Sequence, residues 1–268
     1  MSIPRVLNRK NRILLAELTK TDFKLRYQGS VLGYLWALLR PLMMFAVLYT
    51  VFSNIFPVIG RGENYAIYLL IGTTMWSFFT ECTTQGIQSI IVRGDLLRKI
   101  SFPKYIVVVS STLTAVINML INLGVIIIFT LISGITPSPA WLLAIPAIIE
   151  LYLLSLGIAF LFGSINVKYR DITSIWEVII QAMFYAVPII YTIDLISNAT
   201  LSKIILLNPI AQAIQDIRFA FIGGDITTTW NYIGNAFLKL IPILIIIIVL
   251  VAGALIFRKK SKFFAEEI

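Results

Sequence analysis

Long apolar runs separated by short basic or turn-rich connections dominate the chain. The first extends from Val31 to Pro57, is interrupted by Arg40-Pro41, and is closed by Gly60, Arg61, Gly62, Glu63 and Asn64. Further runs extend from about Tyr65 to Val92, Tyr105 to Ser133, Trp141 to Asn166, Ile175 to Ile193 and Ala236 to Phe257. A helix rises 1.5 Å per residue, so roughly 20 apolar residues cross a hydrocarbon layer of about 30 Å. The pattern predicts an all-α integral membrane protein with six transmembrane helices between residues 31 and 257.

Two segments are amphipathic rather than spanning. In Asn8–Tyr27, after Arg9 and Lys10, the apolar Ile13, Leu14, Leu18, Phe23 and Leu25 alternate in clusters with Arg12, Glu17, Lys20, Asp22, Lys24 and Arg26. Such a basic helix over residues 1–30 is expected to lie in the headgroup plane, its stripe in the acyl boundary and its cations near anionic lipid. Between Tyr191 and Asn235 the chain is too apolar for a solvated loop and too broken for a span. Asn208-Pro209 fits an N-cap followed by proline at the first helical position, and Gly223-Gly224 a helix end near Phe221. Re-entrant or interfacial helices are expected here, covered by protein or lining water.

Charge then orients the spans. Arg5, Arg9, Lys10, Arg12, Lys20, Lys24, Arg26, Arg93, Arg98, Lys99, Lys104, Lys168, Arg170, Arg258, Lys259, Lys260 and Lys262 fall on one side, against Arg61, Lys203, Arg218 and Lys239 on the other. Cytoplasmic connections carry the excess of lysine and arginine, so both termini are placed in the cytoplasm, residues 258–268 forming a basic tail. This asymmetry accounts for the net charge of +9, and no compact basic domain is left for nucleic acid.

With 59% apolar and 13% charged residues, the chain cannot cover itself for water as a soluble enzyme would. Histidine is absent and Cys82 is the single cysteine, which leaves no metal cluster, no disulfide framework and no ready general base. No G-x-x-x-x-G-K-[ST] sequence occurs, so any ATP is bound, with its magnesium, by another subunit.

Three stretches carry chemistry. Between the second and third runs, Arg93-Gly-Asp95-Leu96-Leu97-Arg98-Lys99-Ile100-Ser-Phe102-Pro103-Lys104 predicts a short helix at the cytoplasmic mouth, capped by Asp95. Its leucines, Ile100 and Phe102 present either a docking knob for another protein or a tight snorkelling turn. In the second run, Thr80, Glu81, Thr84, Gln85 and Gln88 recur at helical spacing as one hydrophilic stripe. Glu81 there marks either an interhelical hydrogen bond or a polar conduit, because an acid facing lipid is costly. Arg40 is close enough to the cytoplasmic end to snorkel. Before the fifth run, Ser174 to Glu177 fits a capping box, and Lys168, Arg170 and Asp171 are either surface charges or part of a second contact with a cytoplasmic partner. Trp36, Tyr49, Trp76 and Tyr185 belong with interfacial belts and packing, although aromatic rings also suit the C–H faces of sugars.

The order of these segments resembles the permease subunits of ABC type-2 exporters that carry lipid-linked polysaccharide, the O-antigen, capsule and teichoic-acid group. It is carried by LRYQGSVLGYLWALLRPLM into the first span, RGDLLRKISFPK after the second, VKYRDI before the fifth and paired external helices before the sixth. The opening RKNRILLAELTKTDFKLRYQGSVLGYLW is most similar to permeases of Gram-positive rhamnan-type wall-polysaccharide clusters. The resemblance implies a bacterial cell-membrane homodimer bound to two copies of a cytoplasmic ABC ATPase, with glycan on a polyprenyl (pyro)phosphate passing between the permease copies. It further implies that Arg93–Lys104 is the coupling helix and that the N-terminal helix gates the lipid headgroup. The candidate conduit is then Trp36, Tyr49, Trp76, Thr80, Glu81, Thr84, Gln85, Gln88 and Tyr185. A permease for a drug or small lipid is the alternative.

Overall fold

The computed structural model describes residues 9–56, 58, 59, 62, 64–224 and 226–267, with residues 265 and 266 by backbone alone. Arg5, Arg61 and, of the turn expected before Tyr65, Gly60 and Glu63 lie outside the described residues. Those described form helices and connections, without strand. In chain order the helices are α1 (Arg9–Tyr27), α2 (Trp36–Asn54), α3 (Tyr65–Val92), α4 (Gly94–Lys99), α5 (Tyr105–Ile132), α6 (Ala144–Asn166), α7 (Ile172–Ala186), α8 (Ala199–Leu206), α9 (Pro209–Ile222), α10 (Thr229–Tyr232), α11 (Ala236–Lys239), α12 (Ile241–Lys260) and α13 (Phe264–Glu267).

Among the described residues, four segments are long and apolar enough to cross a membrane: Gly33–Asn54, Tyr105–Ile132, Pro139–Asn166 and Ala236–Lys260. The other two expected spans differ for physical reasons. α3 has 28 residues, ample length, but its polar residues lower its hydropathy. It can carry them because it is the central helix, buried along most of its length by α2, α5, α6, α7 and α9. α7 has only 15 residues, about 22 Å of helix, and stops at Ala186 before Pro188 rather than continuing to Ile193.

Small residues set the closest crossings. Gly86 of α3 faces Ala159 of α6, and Gly157 of α6 meets the backbone of α12 at Leu250 and Val249, where any side chain would collide. Close backbone approach of this kind replaces the hydrophobic drive that lipid cannot supply between helices.

The connections around α9 fold as local rules require. Asn208 accepts from the Ile210 amide at 2.9 Å, Pro209 occupies the first turn, and α9 ends at Gly223 with φ +96°. Two expected caps do not form. Arg93, not Asp95, precedes α4 without a side-chain cap, and Asp95 is exposed in the first turn. α7 starts at Ile172, two residues before Ser174, so Ser174 and Glu177 are inside the helix and not a capping box.

Candidate functional site: a polar cavity walled by the N-terminal helix

α1 does not present its whole stripe to lipid. Leu15, Thr19 and Phe23 share a groove with Leu113 and Ile117 of α5, and Thr19 and Tyr27 are buried. Ile13 and Leu25 remain exposed. The packing brings the last turn of α1 beside the polar stripe of α3. There Arg26 forms an ion pair with Glu81, and Gln85 and Asn118 donate to the same carboxylate oxygen at 3.3 Å and 2.6 Å. Asn118 in turn accepts from the Tyr27 hydroxyl at 3.1 Å. Asn122, one turn further along α5, donates to the carbonyls of Ala37 and Asn118 at 3.0 Å and 2.8 Å.

These groups surround a cavity of about 590 Å³ between α1, α2, α3 and α5. Arg26, Trp36, Trp76, Thr80, Glu81, Thr84 and Gln85 line it together with Ser30, Arg40, Ser77, Asn118 and Asn122. The hydroxyl of Thr80 is buried there without a protein partner. The interhelical reading of Glu81 is the one the contacts show: its carboxylate joins α1, α3 and α5, and it does so on the wall of the cavity. Arg40, expected to snorkel, is on the same wall and exposed.

The remaining conduit candidates lie elsewhere. Tyr49 is exposed on α2 and stacks on Phe45, Gln88 is half-buried nearer the end of α3, and Tyr185 is exposed on α7. Sequence reasoning passed over Asn118 and Asn122. The available signal was a pair of asparagines four residues apart in an otherwise apolar helix, which places both amides on one face. Of the N-terminal cations, Arg12, Lys20 and Lys24 line the groove between α1 and α5, Arg26 lines the cavity, and Arg9 and Lys10 are exposed.

At the end of the bundle where α4 lies, the expected knob is only partly presented. Leu97 is buried, not exposed, in a cluster with Val107, Phe257 and Phe264, and Phe102 packs against the same cluster. α13 thus folds back onto α4, with Lys104 over the Phe264 ring. Leu96, Pro103 and Lys104 are half-buried, while Asp95, Arg98, Lys99 and Ile100 are exposed. Arg93 is turned away from this surface: it pairs with Asp22 of α1.

The segment after α7 lies with α9 at the opposite end. Arg218 is fully buried, stacked 3.4 Å from the centre of the Tyr68 ring. It donates to the carbonyls of Tyr68 at 3.0 Å, Pro188 at 2.6 Å and Ile189 at 2.8 Å, and to Gln215 at 2.7 Å. It thereby satisfies carbonyls that the break after α7 leaves free. Nearby, Asp216 accepts from Gln212 at 2.6 Å and Trp230 at 3.1 Å, and burial raises its pKa to about 6.

Residues 14–222 match the ABC-2 type transporter family. The chain belongs to that family. It is a multi-pass membrane transport protein. Two proteins of Klebsiella pneumoniae named O-antigen export system permease protein RfbA are 32% and 33% identical to it over 254 and 256 residues, 94% of each chain in both cases. One of that name from Myxococcus xanthus is 26% identical over 262 residues, 96% of each chain. The matched region of this ABC-2 type transporter contains α4, the cavity and most of α1.

Proposed function

We propose that this chain is the permease subunit of an ABC exporter that moves polysaccharide on a polyprenyl (pyro)phosphate carrier outward across the bacterial cell membrane. The observation that carries the reading is the cavity, whose carboxylate, amides, hydroxyls and indoles offer hydrogen bonds and flat apolar faces, the two things a glycan recognises. The full-length similarity to permeases named for O-antigen export agrees with it.

In this reading α2, α3, α5, α6, α7 and α12 are the six spans within residues 31–257, α7 being completed by the broken segment after it. α8–α11 cap the outside as interfacial or re-entrant helices. α1, within residues 1–30, and the tail 258–268 are cytoplasmic, as the charge asymmetry requires. Two copies assemble with two copies of a cytoplasmic ATPase that binds ATP and magnesium, and Asp95, Arg98, Lys99 and Ile100 of and next to α4 form its docking surface. The cations along α1 attract the carrier phosphate. Tyr49 and Tyr185, exposed on one copy, extend the passage at the contact with the second.

The test is co-purification of the tagged chain from its own host, with and without residues 95–101 replaced by a Gly/Ser linker, combined with analysis of surface sugars in a strain lacking the gene. Recovery of an ATP-hydrolysing subunit that the replacement abolishes, and loss of a surface polysaccharide on deletion, are expected. Unchanged surface sugars with the ATPase still recovered would instead assign the chain to a drug or small-lipid substrate.

A further inference from the structure

Two carboxylate–guanidinium pairs fasten α1 to α3, and one of them reaches the root of α4. Asp22 holds the side chain of Arg93, which also points at the Leu18 carbonyl at 3.5 Å. Arg93 is the residue between α3 and α4, and its own carbonyl accepts the Leu97 amide at 3.1 Å, so the hydrogen bonding of α4 begins on it. Four residues after Asp22, on the same side of α1, Arg26 pairs with Glu81 in the cavity wall. One continuous path therefore runs from α4 through Arg93 and Asp22 into α1, and from α1 through Arg26 to the cavity.

Both pairs are partly solvated, with side-chain exposures of 13% and 25% for Arg93 and Asp22, and 26% and 20% for Arg26 and Glu81. The lower pair is also incomplete. Asp22 Oδ2 and Arg93 Nη1 are both buried without a partner, although a guanidinium and a carboxylate can bond twice in parallel. A small displacement of α4 can therefore exchange one arrangement of this pair for another, whereas a fully bonded pair would resist it.

We propose that Asp22 is a positioning residue that transmits movement of α4 to α1. Displacement of α4 draws Arg93, Arg93 draws Asp22, and the resulting tilt of α1 separates Arg26 from Glu81 and opens the cavity wall. The proposal rests on α4 being the surface that the ATPase moves, and it assigns to α1 the role of the driven element. It also takes Arg93 out of the docking surface, because its side chain is committed to α1.

The experiment uses the full chain with its ATPase, supplied to a strain lacking the chromosomal copy, and compares wild type, Asp22→Arg, Arg93→Asp and the double exchange. Surface polysaccharide, complex yield and ATP hydrolysis by the purified complex are measured together. Asp22→Arg is expected to lower export per ATP hydrolysed by about tenfold, within the usual range of coupling between sites, with complex yield near wild type. The double exchange restores it. If Asp22→Arg does not accumulate, Asp22→Asn is measured instead and is expected to show a smaller loss of the same kind. Export at wild-type level in whichever Asp22 variant accumulates, or a well-assembled double exchange that stays defective, overturns the linkage. A wild-type complex that recovers no ATPase or exports no polysaccharide would overturn the reading of function itself.

Discussion

Arginines at the two ends of the bundle are held in opposite ways. Arg218 is buried without any carboxylate, yet every part of its guanidinium meets a carbonyl, an amide oxygen or an aromatic face. Arg26 and Arg93 do have carboxylates, but they are partly solvated and Arg93 leaves one nitrogen unpaired. The first arrangement has no alternative of comparable quality, because moving any of its helices strands a buried group. The second can be rearranged at small cost, since ion pairs near water contribute little individually. A charge satisfied by backbone fixes a structure, while a charge satisfied by another side chain can belong to a moving part.

The comparison breaks most severely at Arg218. Arg218→Met removes the donor shared by the Pro188 and Ile189 carbonyls, each costing about 1–3 kcal/mol, and leaves a fully buried site beside Tyr68 unfilled, so little folded protein is expected by fluorescence-detected gel filtration. Gly72→Val should reproduce the defect, because a side chain there meets the guanidinium and the Ile189 carbonyl. Normal accumulation of both would remove the rigid half of the argument. Glu81→Gln is the next largest: the protein should accumulate but lose about 1–2 kcal/mol in thermal unfolding, since Arg26 loses its counter-ion while Asn118 and Gln85 retain an amide to bond. Loss as complete as that of Arg218→Met would show that both ends are equally rigid.

Smaller effects sharpen the picture. Trp176→Phe deletes one hydrogen bond, from the indole nitrogen to the Thr83 hydroxyl at 3.1 Å, and should cost about 1 kcal/mol with export intact. A large export defect would bring α7 into the moving part. The pH dependence of the end capped by α9 should be weaker still. Asp216 titrates at about 6 when folded against an ordinary value of 3.8, so its contribution is fully present below 3.8 and lost as pH rises through about 6. Melting temperature should fall slightly between pH 5 and pH 7.5 in wild type, and Asp216→Asn should flatten that slope.

Which of these features the sequence displays depends on how far apart the interacting residues are. α9 was legible from end to end, because an N-cap, a following proline and a glycine at positive φ are decided within a few residues. The stripe from Thr80 to Gln88 was legible as a group unsuited to lipid, and Thr80, Glu81, Thr84 and Gln85 of it turn to the cavity wall. Its counter-ion was not: Arg26 lies 55 residues away, and the periodicity of α1 shows a basic helix without showing what it packs on. For the same reason Leu97 was expected on the surface, since nothing near it indicates that Phe264 returns to cover it. Ser174-x-x-Glu177 had the spacing of a capping box, but α7 begins a half-turn earlier, where α3 and α6 receive Trp176 and not where the local pattern alone would start it.

The acceptors of Arg218 have a further consequence for how the protein is made. The carbonyls of Tyr68, Pro188 and Ile189 all precede Arg218 in the chain, as does Gln215. Synthesis is vectorial, so the ribosome has delivered every acceptor before it delivers the donor. The most demanding charge in the molecule arrives last, at a cradle whose parts already exist, and the order of translation itself shortens the time for which that guanidinium is without partners.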